Sequence, residues 1–169
     1  MSGSGHGIGS CALPPGALLL RLREAGAYTD CYGVTVDGQV THAQFVAAFY
    51  TTWVFKLERA ILALAVAKPS TDAQALALAR GETDAFAAWT VEARAPDQLL
   101  LCDYRGRTRS WLMREPAVGG GTRLYFGSAV VPVADAHGQR SPGGGFSALL
   151  AFHKLYSRVL LRAAVQRLL

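Results

Sequence analysis

Residues 89–131 read WTVEARAPDQLLLCDYRGRTRSWLMREPAVGGGTRLYFGSAVV, and this stretch decides the fold. From residue 85 onward the segments 85–93, 98–104, 108–114 and 122–133 alternate with a period of two or are rich in β-branched and aromatic residues. Ala95-Pro96-Asp97, Arg105-Gly106-Arg107 and Val118-Gly119-Gly120-Gly121 supply the turns between them. Connections this short join antiparallel neighbours, because parallel strands need crossovers of about a dozen residues or more. The stretch therefore predicts a four-stranded antiparallel meander. Trp111, Met113 and Tyr125 alternate with Leu112, Leu124 and Phe126, so both faces of the meander carry bulky side chains. One face must pack on a helix; the other must bury against early helices or a partner subunit.

Upstream of Gly81 the period is helical. Tyr28 to Val36 (YTDCYGVTV) reads as a strand that the Asp37-Gly38 turn ends. Thr41 with Gln44 has the capping-box pattern, and Phe45, Val46 and Phe49 continue the helix it opens. Thr51-Thr52 re-caps a second helix over Trp53 to Val66, which Lys68-Pro69 stops. Thr71 with Gln74 repeats the capping box for a third helix that closes at Gly81. A Gly- and Pro-rich connection over Ala134 to Gly145 leads to a long helix from Phe146 to Leu169. Its wheel puts Ser147, Lys154, Arg158 and Arg162 on one side; Leu149, Phe152, Tyr156 and Leu160 lie opposite, with His153 beside them. Residues 1–16 read as a flexible lead-in, residues 17–24 as a short helical segment, and residues 17–169 as one domain. The order predicts an α+β fold. An antiparallel curved sheet packs around a long C-terminal helix, with two or three helices inserted after the first strand.

Composition narrows the classes. At 169 residues, 51% hydrophobic and 17% charged, the chain is too apolar to be disordered. Its most apolar run, Trp53 to Ala67, is interrupted by Lys56, Glu58 and Arg59, so no membrane span is expected. The opening MSGSGHGIGS lacks the basic region of a signal peptide, and the expected location is the cytoplasm. Its glycines do not follow a strand, as a phosphate-binding loop would require. Cys11, Cys31 and Cys102 have no metal-ligand spacing and read as reduced thiols. His6, His42, His137 and His153 are scattered, and no cofactor or metal is expected. The net charge is +5. Arg105, Arg107 and Arg109 beside Tyr104 and Trp111 have a single-strand nucleic-acid pattern, but three arginines at one turn are few, so nucleic acid is not the expected partner.

The element order from residue 28 to 169 resembles the START-like superfamily, the helix-grip fold that includes polyketide cyclase-like and Bet v 1-like proteins. WTVEAR (89–94), LLLCD (99–103), SWLM (110–113) and TRLYFGSAVV (122–131) look like segments of an uncharacterised bacterial branch of it. The resemblance implies a sheet wrapped on the terminal helix around an apolar cavity. No activity comes with it, and the chain departs from the full grip in showing five strands where six or seven are usual.

Several residues could serve such a cavity. His153 and Tyr156 lie on the inner side of the terminal helix, where they either act as acid and base toward a ligand or are core residues with satisfied polar tips. Trp89, Trp111 and Tyr125 would line the cavity, and Arg123 would orient an acidic ligand at its mouth or pair across strands with Asp103. Glu92 and Arg94 read as outward-facing charges that pair the sheet with the helices, and Glu58-Arg59 interrupts an apolar helix. The expected function is binding of a small apolar or amphipathic molecule. The alternatives are a homodimeric interaction protein with a filled core, and a cyclase-, isomerase- or dehydratase-type enzyme using His153 or Tyr156.

Overall fold

The computed structural model describes the backbone of residues 7–57, 69–134, 140–141 and 146–169, and the side chains of these apart from 133–134, 140–141 and 146–153. Glu58, Arg59, His6, His137, the far half of the expected second helix and the side chains of Ser147, Leu149, Phe152 and His153 lie outside the described residues.

Within them the chain forms an α+β fold. Strands β1 (Gly9–Ser10), β2 (Tyr28–Val36), β3 (Ala85–Phe86), β4 (Trp89–Ala95), β5 (Gln98–Asp103), β6 (Thr108–Pro116) and β7 (Thr122–Val130) make one curved antiparallel sheet in the order β1-β2-β7-β6-β5-β4-β3. The meander is continuous from β4 to β7, and β2 completes it along β7. The last meander strand ends at Val130. Val133–Ala134 (β8) turns away to pair with Arg140–Ser141 (β9) in a separate two-stranded ladder.

The helices are α1 (Leu20–Glu24), α2 (His42–Tyr50), α3 (Asp72–Arg80) and α4 (Phe146–Leu168), with residues 53–57 also helical. Both capping boxes form as the sequence predicts: Thr41 accepts from the Gln44 amide and Thr71 from the Gln74 amide, each glutamine returning the bond. Thr52 Oγ1 accepts from the Phe55 amide at 3.2 Å, which starts the helical turn over residues 53–57. Gly81 closes α3 at φ 76°, a left-handed conformation that a glycine adopts without a Cβ penalty.

The two faces of the sheet are covered by different parts of the chain. On one, Tyr32, Val34, Leu99, Leu101, Leu112, Leu124 and Phe126 pack against α2, α3 and α4. The rings of Phe45, Phe49, Tyr50, Phe55, Phe86 and Phe126 fill this layer, with Phe49 and Phe126 centred 4.7 Å apart and Tyr50 and Phe55 4.8 Å apart. On the other, Cys31, Leu100, Trp111, Met113, Tyr125 and Ala129 are covered by residues 11–22, including Ala17 and Leu19. Residues 7–16 are therefore placed against the sheet, in contrast to the lead-in expected from their glycines. Ser10 and Gly9 pair with Tyr32 and Gly33, and the Gln98 side chain clamps residues 16–18. Its Oε1 accepts from the Leu18 amide and from Trp111 Nε1, both at 2.9 Å, while Nε2 donates to the Gly16 carbonyl at 3.0 Å.

Two irregularities correct the expected strand 85–93. Ala87, at φ 52°, splits it into a tight hairpin in which Phe86 pairs with Trp89. A β-bulge between Val91 and Ala93 then shifts the register. Glu92 and Arg94, expected on one face, consequently serve opposite faces. Glu92 takes Arg21 at 2.9 Å and Arg109 at 2.6 Å on the α1 side. Arg94 donates to the Leu78 and Thr83 carbonyls at the end of α3. The expectation of ion pairs between sheet and helices holds for Glu92 and Arg21, and Trp89 lies on the helix side as expected.

Trp111 pairs across strands with Gly127, and a Cβ at residue 127 would meet the Asp30 carbonyl oxygen at 2.8 Å and Trp111 Cε3 at 2.9 Å. Backbone on one side and a fully buried indole on the other leave no room for a methyl group. Gly127→Ala should destabilise the protein by about 1–3 kcal/mol, as overpacking of a filled site does, read from urea unfolding midpoints. An unchanged midpoint would show that the two strands can part.

Candidate functional site

The site lies at the edge of β2. Its N-terminal part, YTDCY, places Tyr28, Asp30 and Tyr32 toward the helix layer and Thr29 and Cys31 toward the outer one, by the strand's period of two. β7 holds one edge of this strand throughout. The other edge is held by β1 at Tyr32 and Gly33 and by the Cys11 amide, which donates to the Cys31 carbonyl at 3.0 Å. Pro14-Pro15 comes soon after. Prolines carry no N–H for a ladder, so the first strand leaves the sheet there and crosses the outer face toward α1.

The departure opens a groove of about 310 Å³ beside residues 28–32. Residues 10–13 form one wall, β2 the floor, and Arg23 of α1 and Lys154 of α4 bring cations from either side. Asp30 is fixed from below: its Oδ1 accepts from the amide of Ser128, its cross-strand partner, at 3.0 Å and from the Ser128 hydroxyl at 2.7 Å. Arg158, one turn beyond Lys154, sits 5.6 Å over the Tyr32 ring. Burial and then the Asp30 carboxylate raise the Tyr28 phenol above its ordinary range. The same two causes, burial first, carry Tyr32 to about 12. Both phenols are therefore protonated at neutral pH. Burial, with the neighbouring thiol of Cys11, raises Cys31 as well. Two cations against one engaged carboxylate favour an anionic group in the groove, beside the apolar Ala12 and Leu13.

The described residues among those expected to share one cavity divide between the two faces of the sheet, and the side chain of His153 lies outside the described residues. Tyr156 and Trp89 are half-buried on the helix side, and Trp89 Nε1 has no hydrogen-bond partner among the described residues. Trp111 and Tyr125 lie on the opposite face, because β6 and β7 turn every second side chain away from the helices. Tyr125 donates to Glu115 Oε1 at 2.5 Å. Arg123 is on that outer face too, 5.5 Å from the Tyr125 ring centre and donating to Thr35 Oγ1 at 3.2 Å. Arg123 and Asp103 are separated by β6, so neither the cavity-mouth pair nor the cross-strand pair forms; Asp103 Oδ1 instead accepts from the Arg107 and Thr108 amides in the β5–β6 turn. In the arginine cluster, Arg109 is engaged by Glu92 and Arg105 donates to the Tyr104 hydroxyl. No group of three or more His, Cys, Asp or Glu side chains close enough to hold a metal ion occurs among the described residues. None of their helices is long and apolar enough to cross a membrane.

One further titratable group, away from the groove, has both ring nitrogens shielded from solvent. His42, first residue of α2, has no hydrogen-bond partner at either ring nitrogen among the described residues. Burial lowers it from 6.5 to about 4, the pull of Asp97 being opposed by Arg114 and Arg94. Between these values the unfolded chain binds a proton that the folded chain excludes. Stability contributed by the neutral imidazole is thus complete above pH 6.5, falls as pH drops toward 4 and levels off below. The loss should be on the order of 3 kcal/mol, and His42→Leu should flatten the slope of urea stability against pH in that window.

No family model, curated protein or solved structure matches the chain.

Proposed function

We propose that this chain is a small-molecule binding domain of the START-like kind, acting in the cytoplasm, and that the groove beside β2 holds its ligand. The observation that carries the reading is the groove itself. Its volume of about 310 Å³ is at the lower end of the range for small-molecule sites. It opens at the edge of the sheet beside Lys154 of the terminal helix. The lining suits an amphipathic molecule. Leu13 and Ala12 offer apolar contact, Arg23 and Lys154 attract an acidic group, and the Tyr28 and Tyr32 phenols remain protonated.

The first test is native mass spectrometry of protein purified gently, followed by denaturing extraction, with a retained amphipathic molecule expected. Titration with anilinonaphthalene sulfonate, an anionic fluorescent amphiphile, reports on the site directly. The double charge reversal Arg23→Glu with Lys154→Glu alters two exposed side chains and should weaken saturable binding about tenfold or more, a change of about 1.4 kcal/mol or more. Equal affinity in the variant would remove the groove as the binding site, and a clean apo dimer would favour an interaction protein instead.

A further inference from the structure

In the β1–β2 register, where Gly9 faces Gly33 and Ser10 faces Tyr32, the next pair is Cys11 and Cys31. Their sulfurs are 3.5 Å apart, and both thiols are free. The Cys11 amide donates to the Cys31 carbonyl at 3.0 Å, so the two backbones run side by side, and neighbours in an antiparallel pair have Cα atoms about 4.5–5.5 Å apart, inside the window that a disulfide tolerates. Closing a disulfide requires the sulfurs to approach from 3.5 Å to about 2.05 Å. The two thiols also differ in access. Cys31 is 3% exposed beneath the outer layer, whereas Cys11 is half-buried in the groove wall.

We propose that Cys11 and Cys31 are a thiol–disulfide exchange site, in which a small disulfide such as oxidised glutathione reacts at Cys11 and Cys31 resolves the adduct. The Cys11 thiolate attacks one sulfur of the small disulfide, forming a mixed disulfide and releasing one glutathione as thiolate. The Cys31 sulfur then attacks Cys11 Sγ. The bond to glutathione breaks, the Cys31 proton goes to the departing sulfur, and the second glutathione leaves as a thiol. The proton that Cys11 released to water on ionising is taken up by the first glutathione thiolate, so overall the protein loses two hydrogens and the small disulfide gains them. Arg23 and Lys154 beside the groove favour the anionic peptide that this chemistry would bring. Burial first, and then the neighbouring Cys11, raise the Cys31 thiol, and Cys11, the more exposed of the two and part of the groove wall, is the entry point. The bond would close the loop from residue 11 to 31, which contains α1 and the segment covering Trp111. The unfolded chain would lose freedom that the folded chain never had. The exchange uses the groove of the proposed binding site but does not require the amphipathic ligand proposed for it.

The test is intact-mass and peptide mapping of the full chain incubated with oxidised glutathione. The mass should fall by two hydrogens, a Cys11–Cys31 linked peptide should appear, and Cys102 should remain open to alkylation. The oxidised chain should melt about 5 °C or more higher than the reduced one, and dithiothreitol should reverse the shift. In Cys31→Ser the glutathione adduct should persist on Cys11, whereas Cys11→Ser should take up none. No loss of mass in the wild-type chain, a bond that uses Cys102, or an adduct on Cys31 in the Cys11→Ser variant would each overturn the assignment. An oxidised chain that melts no higher would overturn closure of the bond within the native strands.

Discussion

The outer half of this molecule depends on the indole of Trp111 being buried beside a glycine on the neighbouring strand. The meander is apolar on both faces, and on the face away from the helices Trp111 is fully buried against Gly127 with Leu19 above it. A large apolar ring on an open sheet would expose a patch that water disfavours, so the chain must supply a second cover. It does so from its own N-terminal segment. Gln98 fixes that cover by satisfying the indole N–H, the Leu18 amide and the Gly16 carbonyl together, so these three polar groups are met under the lid. The aromatic layer of Phe45, Phe49, Tyr50 and Phe55 on the opposite side is conventional by comparison.

The groove arises from that cover. To reach Trp111 the N-terminal segment must leave the sheet edge, and Pro14-Pro15 makes it leave shortly after Cys11. Among the described residues β1 runs beside only part of β2, and Tyr28, Thr29 and Asp30 lie beyond that part, along the groove. Site and lid are two results of one chain path: the same residues that bury the outer face leave the polar end of β2 beside an opening.

Much of the fold was legible in the sequence because it rests on local chemistry. Thr41-Gln44, Thr71-Gln74 and Gly81 announce helix ends by side-chain and glycine geometry that needs no tertiary partner. The short turns of residues 95–121 force antiparallel neighbours. The apolar residues on both faces of β6 and β7 also told, from sequence, that two covers were needed. The source of the second cover was not legible, since residues 11–22 carry no strong period and the glycine-rich opening resembles a tail. The bulge after Val91 was invisible too: strict alternation put Glu92 and Arg94 together, and one inserted residue sent Arg94 to the α3 carbonyls. The candidate site was least legible of all. Trp111, Tyr125 and Arg123 were chosen for their chemistry, but they face away from Tyr156 and Trp89. Arg23, Asp30, Cys11 and Lys154 become neighbours only through the β1–β2 register and the placement of α1 and α4. The polar run YTDCY in an otherwise apolar strand was the one local hint, and Cys11 at twenty residues' distance gave no sign of its partner.

The irregular β4 has a consequence beyond the sorting of two charges. Sheets with long, straight, apolar borders template the addition of further strands from other molecules, and proteins guard against this with short border strands, kinks and charges. Among the described residues both border strands are two residues long, at β1 and β3, and the strand next to β3 is kinked by the bulge and carries Glu92 and Arg94 in ion pairs. A second copy approaching along that border would meet a broken row of amides and a desolvation cost for both charges. The same inserted residue that sets the local register thus acts as protection against polymerisation through the sheet.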